Sequence, residues 1–262
     1  MTNYYSAREA TLNFAASVDS KVTQPLPKFC LMAILGGAFI AFGGLLSVLV
    51  SGGMPGIGAD NPGLIKFIAG SLFPVGLIMV SLTGVDLFTS DCAGFTYAGM
   101  QRKVNAATFI KYLLLSYLFN FVGAQFVAYF MTAEVGFLQS EPWLSYYHSY
   151  TTGKVYQDFY TVLLKGIGAN WLVCLGMFLG YTAKDVIGKC IGIWIPVMLF
   201  VTLGYEHSIA NMYFIPTAIY TGAPITWADF ILQNLIPATI GNFIGGAGFV
   251  GLAYGYLYLK KP

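Results

Sequence analysis

The sequence predicts an all-α integral membrane protein, with six spanning helices arranged as two inverted three-helix repeats and with spans two and five broken. Three observations predict it. Charged residues are 9% of the 262 positions and hydrophobic residues 57%, whereas a soluble domain carries about a quarter charged residues. Apolar runs of about 20 residues, the length that crosses a bilayer, recur six times. Short motifs in the first half also reappear, in the same order, in the second.

Residues 1–28 read as a cytoplasmic N-terminal segment. They carry Arg8, Glu9, Asp19 and Lys21 and do not resemble a cleavable signal peptide. Leu12, Phe14, Ala15 and Val18 are spaced as the apolar stripe of a short helix lying on the membrane surface. Residues 29–259 read as a single six-span transmembrane domain, and 260–262, with Lys260 and Lys261, as a cytoplasmic tail. The spans are 29–52, 63–100 (broken near 86–91), 106–131, 159–182, 186–219 (broken near 204–208) and 228–259. Lys111, near the edge of span three, can snorkel to the interface. The longest connection, 132–158, reads as a loop containing Glu134, Glu141, Pro142 and His148, and no soluble domain fits between spans.

Lysine and arginine set the orientation. Arg8, Lys21, Lys28, Arg102, Lys103, Lys184, Lys189, Lys260 and Lys261 all fall on one side of a six-span arrangement. The opposite loops hold Asp60, Glu134, Glu141 and Asp229 with Lys66 and Lys154 as their cations. Both termini are therefore expected in the cytoplasm of a protein of the cell (inner) membrane.

The repeat rests on three collinear matches. Pro74-Val75 returns as Pro196-Val197, and Asn120-Phe121-Val122-Gly123-Ala124 returns as Asn242-Phe243-Ile244-Gly245-Gly246, each 122 residues on. Gly84-Val85-Asp86 returns as Gly204-Tyr205-Glu206 after 120 residues. Three spans per half is an odd number, so the second half sits upside down relative to the first. Such repeats place a transport site near mid-membrane, at broken helices.

The polar residues at the breaks carry the chemistry, because ionisable groups in a membrane belong against protein or a water-filled path. His207 admits two readings: a core histidine satisfied by backbone carbonyls, or a pore-lining proton or hydrogen-bond donor to a small anion. Thr89 supplies a hydroxyl from the other broken helix, either to the same substrate or as a cap on the following half-helix. Half-helix N-termini favour an anion. Asp86 and Glu206 would repel one, so they are expected to bond loop N–H groups or helix N-termini and hold the breaks in shape. Lys154 reads either as a cation that concentrates anions at the outer mouth or as an interfacial anchor. Lys165 lies about two turns into span four. Asn170 and Asn211 are candidate polar positions on the path. Phe73, Leu77 and Phe200 precede the breaks by one or two turns, where apolar side chains form dry constrictions.

Several classes are disfavoured. A net charge of +2 suggests no nucleic-acid partner. Cys30, Cys92, Cys174 and Cys190 lie in apolar stretches at no metal-ligand spacing and read as packing residues. No cofactor or metal is expected. A membrane-embedded enzyme built on Asp86, Glu206 and His207 is the rival class, but no nucleophile–base pair is visible in the sequence.

At these residues the chain resembles the formate/nitrite transporter family. The matching runs are Asp86-Leu87-Phe88-Thr89-Ser90, Ala169-Asn170-Trp171-Leu172-Val173-Cys174, Gly204-Tyr205-Glu206-His207-Ser208-Ile209-Ala210-Asn211-Met212, and Asn234-Leu235-Ile236-Pro237-Ala238-Thr239-Ile240-Gly241-Asn242. The resemblance implies an aquaporin-like fold and a homopentamer with one pore per protomer. It implies passage of formate, nitrite, hydrosulfide, acetate or lactate, as anions or conjugate acids, with proton coupling open. By motif, His207 is the pore-centre histidine and Thr89 the loop threonine it reaches. Phe73 and Phe200 line the outer constriction, Leu77 and Leu87 the inner one, and Lys154 the outer vestibule. Asn170 and Asn211 are polar pore residues. The loop Asp86-Leu87-Phe88-Thr89-Ser90 is most similar to formate channels, which makes formate the expected substrate, while the run 166–174 is also similar to nitrite channels. The expected mechanism has Lys154 drawing in the anion, the constrictions favouring the neutral acid, and His207 with Thr89 donating a proton or a hydrogen bond; a purely anionic channel using a charged His207 is the alternative.

Overall fold

The structure, a computed structural model, describes residues 3–259. Lys260 and Lys261, which the charge argument uses, lie outside the described residues. No strand occurs among the described residues, and extended pairing is limited to an isolated bridge between Tyr4 and Ala183.

The chain opens with α1 (Ala7–Thr23), started by a capping box in which Ser6 and Glu9 satisfy one another's backbone N–H groups. α2 (Leu26–Gly52) is followed by the short α3 (Pro55–Asp60), then α4 (Pro62–Leu72), α5 (Val75–Thr83), α6 (Phe88–Met100) and α7 (Ala106–Phe126). A π-helical stretch, Val127–Ala133, continues α7. α8 (Trp143–Val155), α9 (Phe159–Thr182), α10 (Val186–Thr202) and α11 (Ser208–Tyr220) follow. The last helical region runs from α12 (Trp227–Asp229) through α13 (Ile236–Phe243) to α14 (Ala253–Leu259), with π-helical joints at Phe230–Leu235 and Ile244–Leu252.

Among the described residues five helical segments are long and apolar enough to cross a membrane: Leu26–Gly52, Pro62–Thr83, Ala106–Ala133, Phe159–Thr182 and Trp227–Leu259. The remaining apolar region supplies the shorter α10, of 17 residues, then a break and α11. The outward faces are apolar, with Ile110, Leu114, Leu118, Ile187 and Leu232 all exposed, as suits an integral membrane protein.

Both breaks are made the same way. Gly84 ends α5 at φ +72° and Gly204 follows α10 at φ +71°, a left-handed conformation that costs glycine no Cβ clash. Extended residues then lead into α6 and α11. The first break occupies 84–87, slightly before the expected 86–91, because Thr89 and Ser90 already lie in the first turn of α6.

Two further sequence expectations are corrected. α1 does not lie with its stripe on lipid: Phe14, Ala15 and Val18 are buried against the bundle, and Phe14 stacks on Tyr181 at 4.7 Å and meets Tyr97 edge-on at 5.5 Å. Leu12 is off that face and 42% exposed. The protein's own aromatics, rather than lipid, supply the apolar partner. The connection 132–158 is not a plain loop, since it contains α8, anchored by Trp143 Nε1–H to Leu49 O (2.8 Å) and Tyr147 Oη–H to Phe214 O (2.8 Å). His148 therefore sits on a helix and pairs with Thr221 Oγ1 at 3.1 Å.

Candidate functional site

The two breaks bring Thr89 and His207 together. Thr89 lies in the first turn of α6, His207 is the N-cap of α11, and Thr89 Oγ1 and His207 Nε2 are 3.0 Å apart, both residues buried. The tautomer follows from the other ring nitrogen. Ala210 N–H donates to His207 Nδ1 at 3.0 Å, so Nδ1 presents its lone pair and the neutral imidazole carries its proton on Nε2. That Nε2–H donates to Thr89 Oγ1. A second proton on Nδ1 would remove the cap and leave the Ala210 N–H facing another donor. His207 is thus a helix cap through one nitrogen and a donor through the other, and its partners are not the backbone carbonyls of the bland reading.

A cavity of about 600 Å³ reaches this point, lined by Phe73, Phe200, His207, Lys154, Lys165 and Glu206 among others. Phe200 lies nearly parallel to the His207 ring at 5.8 Å and 21°, and Phe73 meets Phe200 edge-on at 5.8 Å. Aromatic carbon therefore covers the approach to the imidazole. Leu77 and Leu87 are fully buried and lie outside this cavity.

The two asparagines divide. Asn211 lines the cavity and donates to Glu206 Oε2 and Asn234 Oδ1, both at 2.7 Å. Asn170 does not line it; its amide donates to Thr89 O (3.0 Å) and Asn242 O (2.6 Å). Cys174 Sγ–H also reaches Thr89 O at 3.2 Å. Asn170 fixes the backbone that carries Thr89.

The acids depart from expectation. The carboxylates of Asp86 and Glu206 do not bond loop N–H groups; each meets a lysine from a helix outside the apolar spans. Lys154, on α8, pairs with Glu206 at 3.1 Å, and Asn211 and Asn234 donate to the same carboxylate. Lys21, on α1, pairs with Asp86 at 2.9 Å and also with Asp91, while Ser116 Oγ–H donates to Asp86 at 2.5 Å. The loop N–H groups are taken by other carbonyls, Asp86 N–H by Met32 O and Glu206 N–H by Lys165 O, which frees the acids for cations. Burial alone pushes both lysines toward the neutral form, but Asp86 and Asp91 around Lys21, and Glu206 beside Lys154, outweigh it and raise both ammonium pKa values. Among the described residues the His207 ring bonds Thr89 and the Ala210 N–H, while the Asp86 and Glu206 carboxylates bond lysines and neutral side chains.

Sequence reasoning missed Lys21, Asp91, Ser116, Gln157 and Asn234. Asn234 lay inside one of the family-like runs, and Asn120 and Asn242 marked the repeat without a role. Among the described residues no group of three or more His, Cys, Asp or Glu is placed to hold a metal.

Comparison with known proteins agrees with this geometry. The sequence pattern described as formate/nitrite transporter matches residues 8–256. The chain is 39% identical to a probable formate transporter of Methanothermobacter thermautotrophicus, over 99% of both chains. It is 40% identical to the formate channel BtFdhC of Bacillus thuringiensis, over 92% of this chain and 91% of that one. A solved structure described as a pentameric formate channel with formate bound superposes with a TM-score of 0.77 at 30% identity, covering 89% of this chain and 97% of the other. With nearly its whole length matched, and the two broken helices meeting at Thr89 and His207, the chain belongs to the formate/nitrite transporter family.

Proposed function

We propose that the protein is a channel passing a small monovalent anion or its conjugate acid, formate first, across the cell membrane. The observation that carries this reading is the Thr89–His207 hydrogen bond at the meeting of two broken helices, beneath a cavity lined by lysines and aromatics. The relatives named as formate channels or transporters support the choice of formate. In this reading the spans form two inverted three-helix repeats in an aquaporin-like fold, residues 29–259 are one domain, and 1–28 and 260–262 are cytoplasmic. Five copies assemble with one pore each, a reading supported by the likeness to the pentameric formate channel. The protein carries out no bond chemistry.

The mechanism follows from desolvation. A bare anion entering a dry constriction loses its hydration at large cost, and a weak acid avoids that by taking up a proton. Phe73 and Phe200 form the outer constriction, Leu77 and Leu87 the inner one. His207 offers Nε2–H to the passing species, with Thr89 Oγ1 as the alternative partner when the pore is empty. A neutral imidazole N–H is too weak an acid to protonate a carboxylate, and a charged imidazole would forfeit the Ala210 cap. The proton therefore comes from solution, His207 acts as a hydrogen-bond donor, and flux rises as the medium becomes more acidic.

Proteoliposome flux of formate, nitrite and hydrosulfide, for wild type and His207→Asn at two pH values, tests this. Formate flux that strengthens in acid, with an altered pH response in the variant, is the expected result. Preference for nitrite or hydrosulfide moves the substrate within the family. Full charge current without proton movement sinks the neutral-acid mechanism.

A further inference from the structure

The cavity wall carries three cations, Lys66, Lys154 and Lys165, and one acid, Glu206. Lys154 is already committed. Its ammonium lies 3.1 Å from Glu206, both side chains are at most 9% exposed, and the pair presents a dipole to the cavity rather than a net charge. An arriving anion therefore gains little from Lys154 alone.

Lys165 is placed differently. Among the described residues it forms no ion pair with an acid. Its Nζ donates to the neutral Gln157 Oε1 at 2.5 Å. Gln157 is itself fixed, because Nε2 donates to Gly153 O at 2.8 Å, Lys154 O at 3.2 Å and, at 3.5 Å, Glu206 Oε1, which turns Oε1 toward Lys165 and places the amide between that ammonium and the acid. An ammonium has three N–H donors. With one on Gln157, two remain for an oxyanion. Lys165 is half-buried in the wall that also contains His207, so its charge is screened less than that of an exposed lysine. Lys66 is exposed and, among the described residues, also forms no ion pair with an acid.

We propose that Lys165, oriented by Gln157, is the docking group for a small monovalent oxyanion in the cavity leading to His207, and that Lys154 serves to neutralise Glu206. The assignment rests on the anion-channel reading above. Docking at Lys165 raises the local anion concentration ahead of the aromatic constriction, and it leaves the passage at His207 unchanged.

The test is the concentration dependence of formate, nitrite and hydrosulfide uptake into proteoliposomes, at low and near-physiological ionic strength, for wild type, Lys165→Met and Lys165→Arg. Lys165→Met is expected to raise the half-saturating concentration about tenfold, with maximal flux unchanged and the salt dependence weakened; Lys165→Arg keeps both. Should Lys165→Met fail to assemble, Gln157→Leu keeps the charge but removes its orienting partner, and is expected to raise half-saturation by a smaller factor. Wild-type half-saturation and salt dependence in these variants overturn the docking role while leaving the channel reading intact. A wild-type protein that carries none of the three anions sinks the channel reading and the docking role with it.

Discussion

Asn120 and Asn242 hold the two helix breaks by the same hydrogen-bond pattern. Asn120 Oδ1 accepts from Phe88 N–H at 2.9 Å, and its amide donates to Ala33 O and Asp86 O at 2.7 and 3.0 Å. Asn242 Oδ1 accepts from Ser208 N–H at 2.8 Å, and its amide donates to Gly166 O and Glu206 O at 2.8 and 2.9 Å. One side chain thus satisfies the first N–H of the half-helix that follows each break and a carbonyl of each break, groups that a membrane interior leaves without water. Gly36 makes room for the first: a Cβ there would collide with the Asp86 carbonyl.

Replacing either asparagine by alanine orphans one buried N–H and one break carbonyl, Asp86 O or Glu206 O, while Ala33 O and Gly166 O keep their intrahelical bonds. Each unsatisfied group costs about 1–3 kcal/mol. We expect Asn120→Ala and Asn242→Ala to lower the thermal midpoint of the detergent-purified protein sharply and by similar amounts. A midpoint unchanged in either variant would show that the break has another support.

Thr89→Val keeps the shape of the side chain and removes the acceptor for His207 Nε2–H. A neutral hydrogen bond is worth about 1 kcal/mol net, so flux is expected to change by several-fold, up to about tenfold, while Thr89→Ser behaves like wild type. Initial uptake rates in proteoliposomes check this. Equal rates in the valine and serine variants would remove the hydroxyl from the pathway.

Lys154→Met leaves the Glu206 carboxylate buried without its cation, a change that costs about 3–5 kcal/mol for a buried pair. Glu206→Gln in the same chain removes the stranded charge. The double variant is therefore expected to be more stable than Lys154→Met alone. Thermal unfolding of the two singles and the double measures the coupling, and additive effects would show that the pair interacts weakly despite its 3.1 Å separation.

Lys21→Met strands two acids, Asp86 and Asp91. Expected results are loosening of α1, read as faster proteolysis within 7–23, and partial rescue by adding Asp91→Asn. Wild-type proteolysis would mean that the Phe14 and Val18 face alone holds α1 in place.

The breaks themselves were legible in sequence. A glycine followed by a charged residue inside an apolar run has few other meanings, and the same signal exposed His207 and Thr89 together. The lysines were legible as charges without partners. Lys21 reads as a cytoplasmic charge and Lys154 as a mouth charge, because positive-inside reasoning counts charges without assigning partners. Asn170 lay in a recognisable motif, yet its amide turns toward the Thr89 and Asn242 carbonyls and away from the cavity.

The chain by itself determined its membrane character, the sites of helix interruption and the residue types gathered there, because hydropathy and left-handed glycine positions are local properties. The tertiary structure alone decided that α1 docks on protein, that 132–158 contains a helix, and that each break's acid meets one particular lysine. Those acid–lysine pairings, Lys21 with Asp86 and Lys154 with Glu206, join residues far apart in the chain, and which polar groups face each other in a buried site depends on how the helices pack.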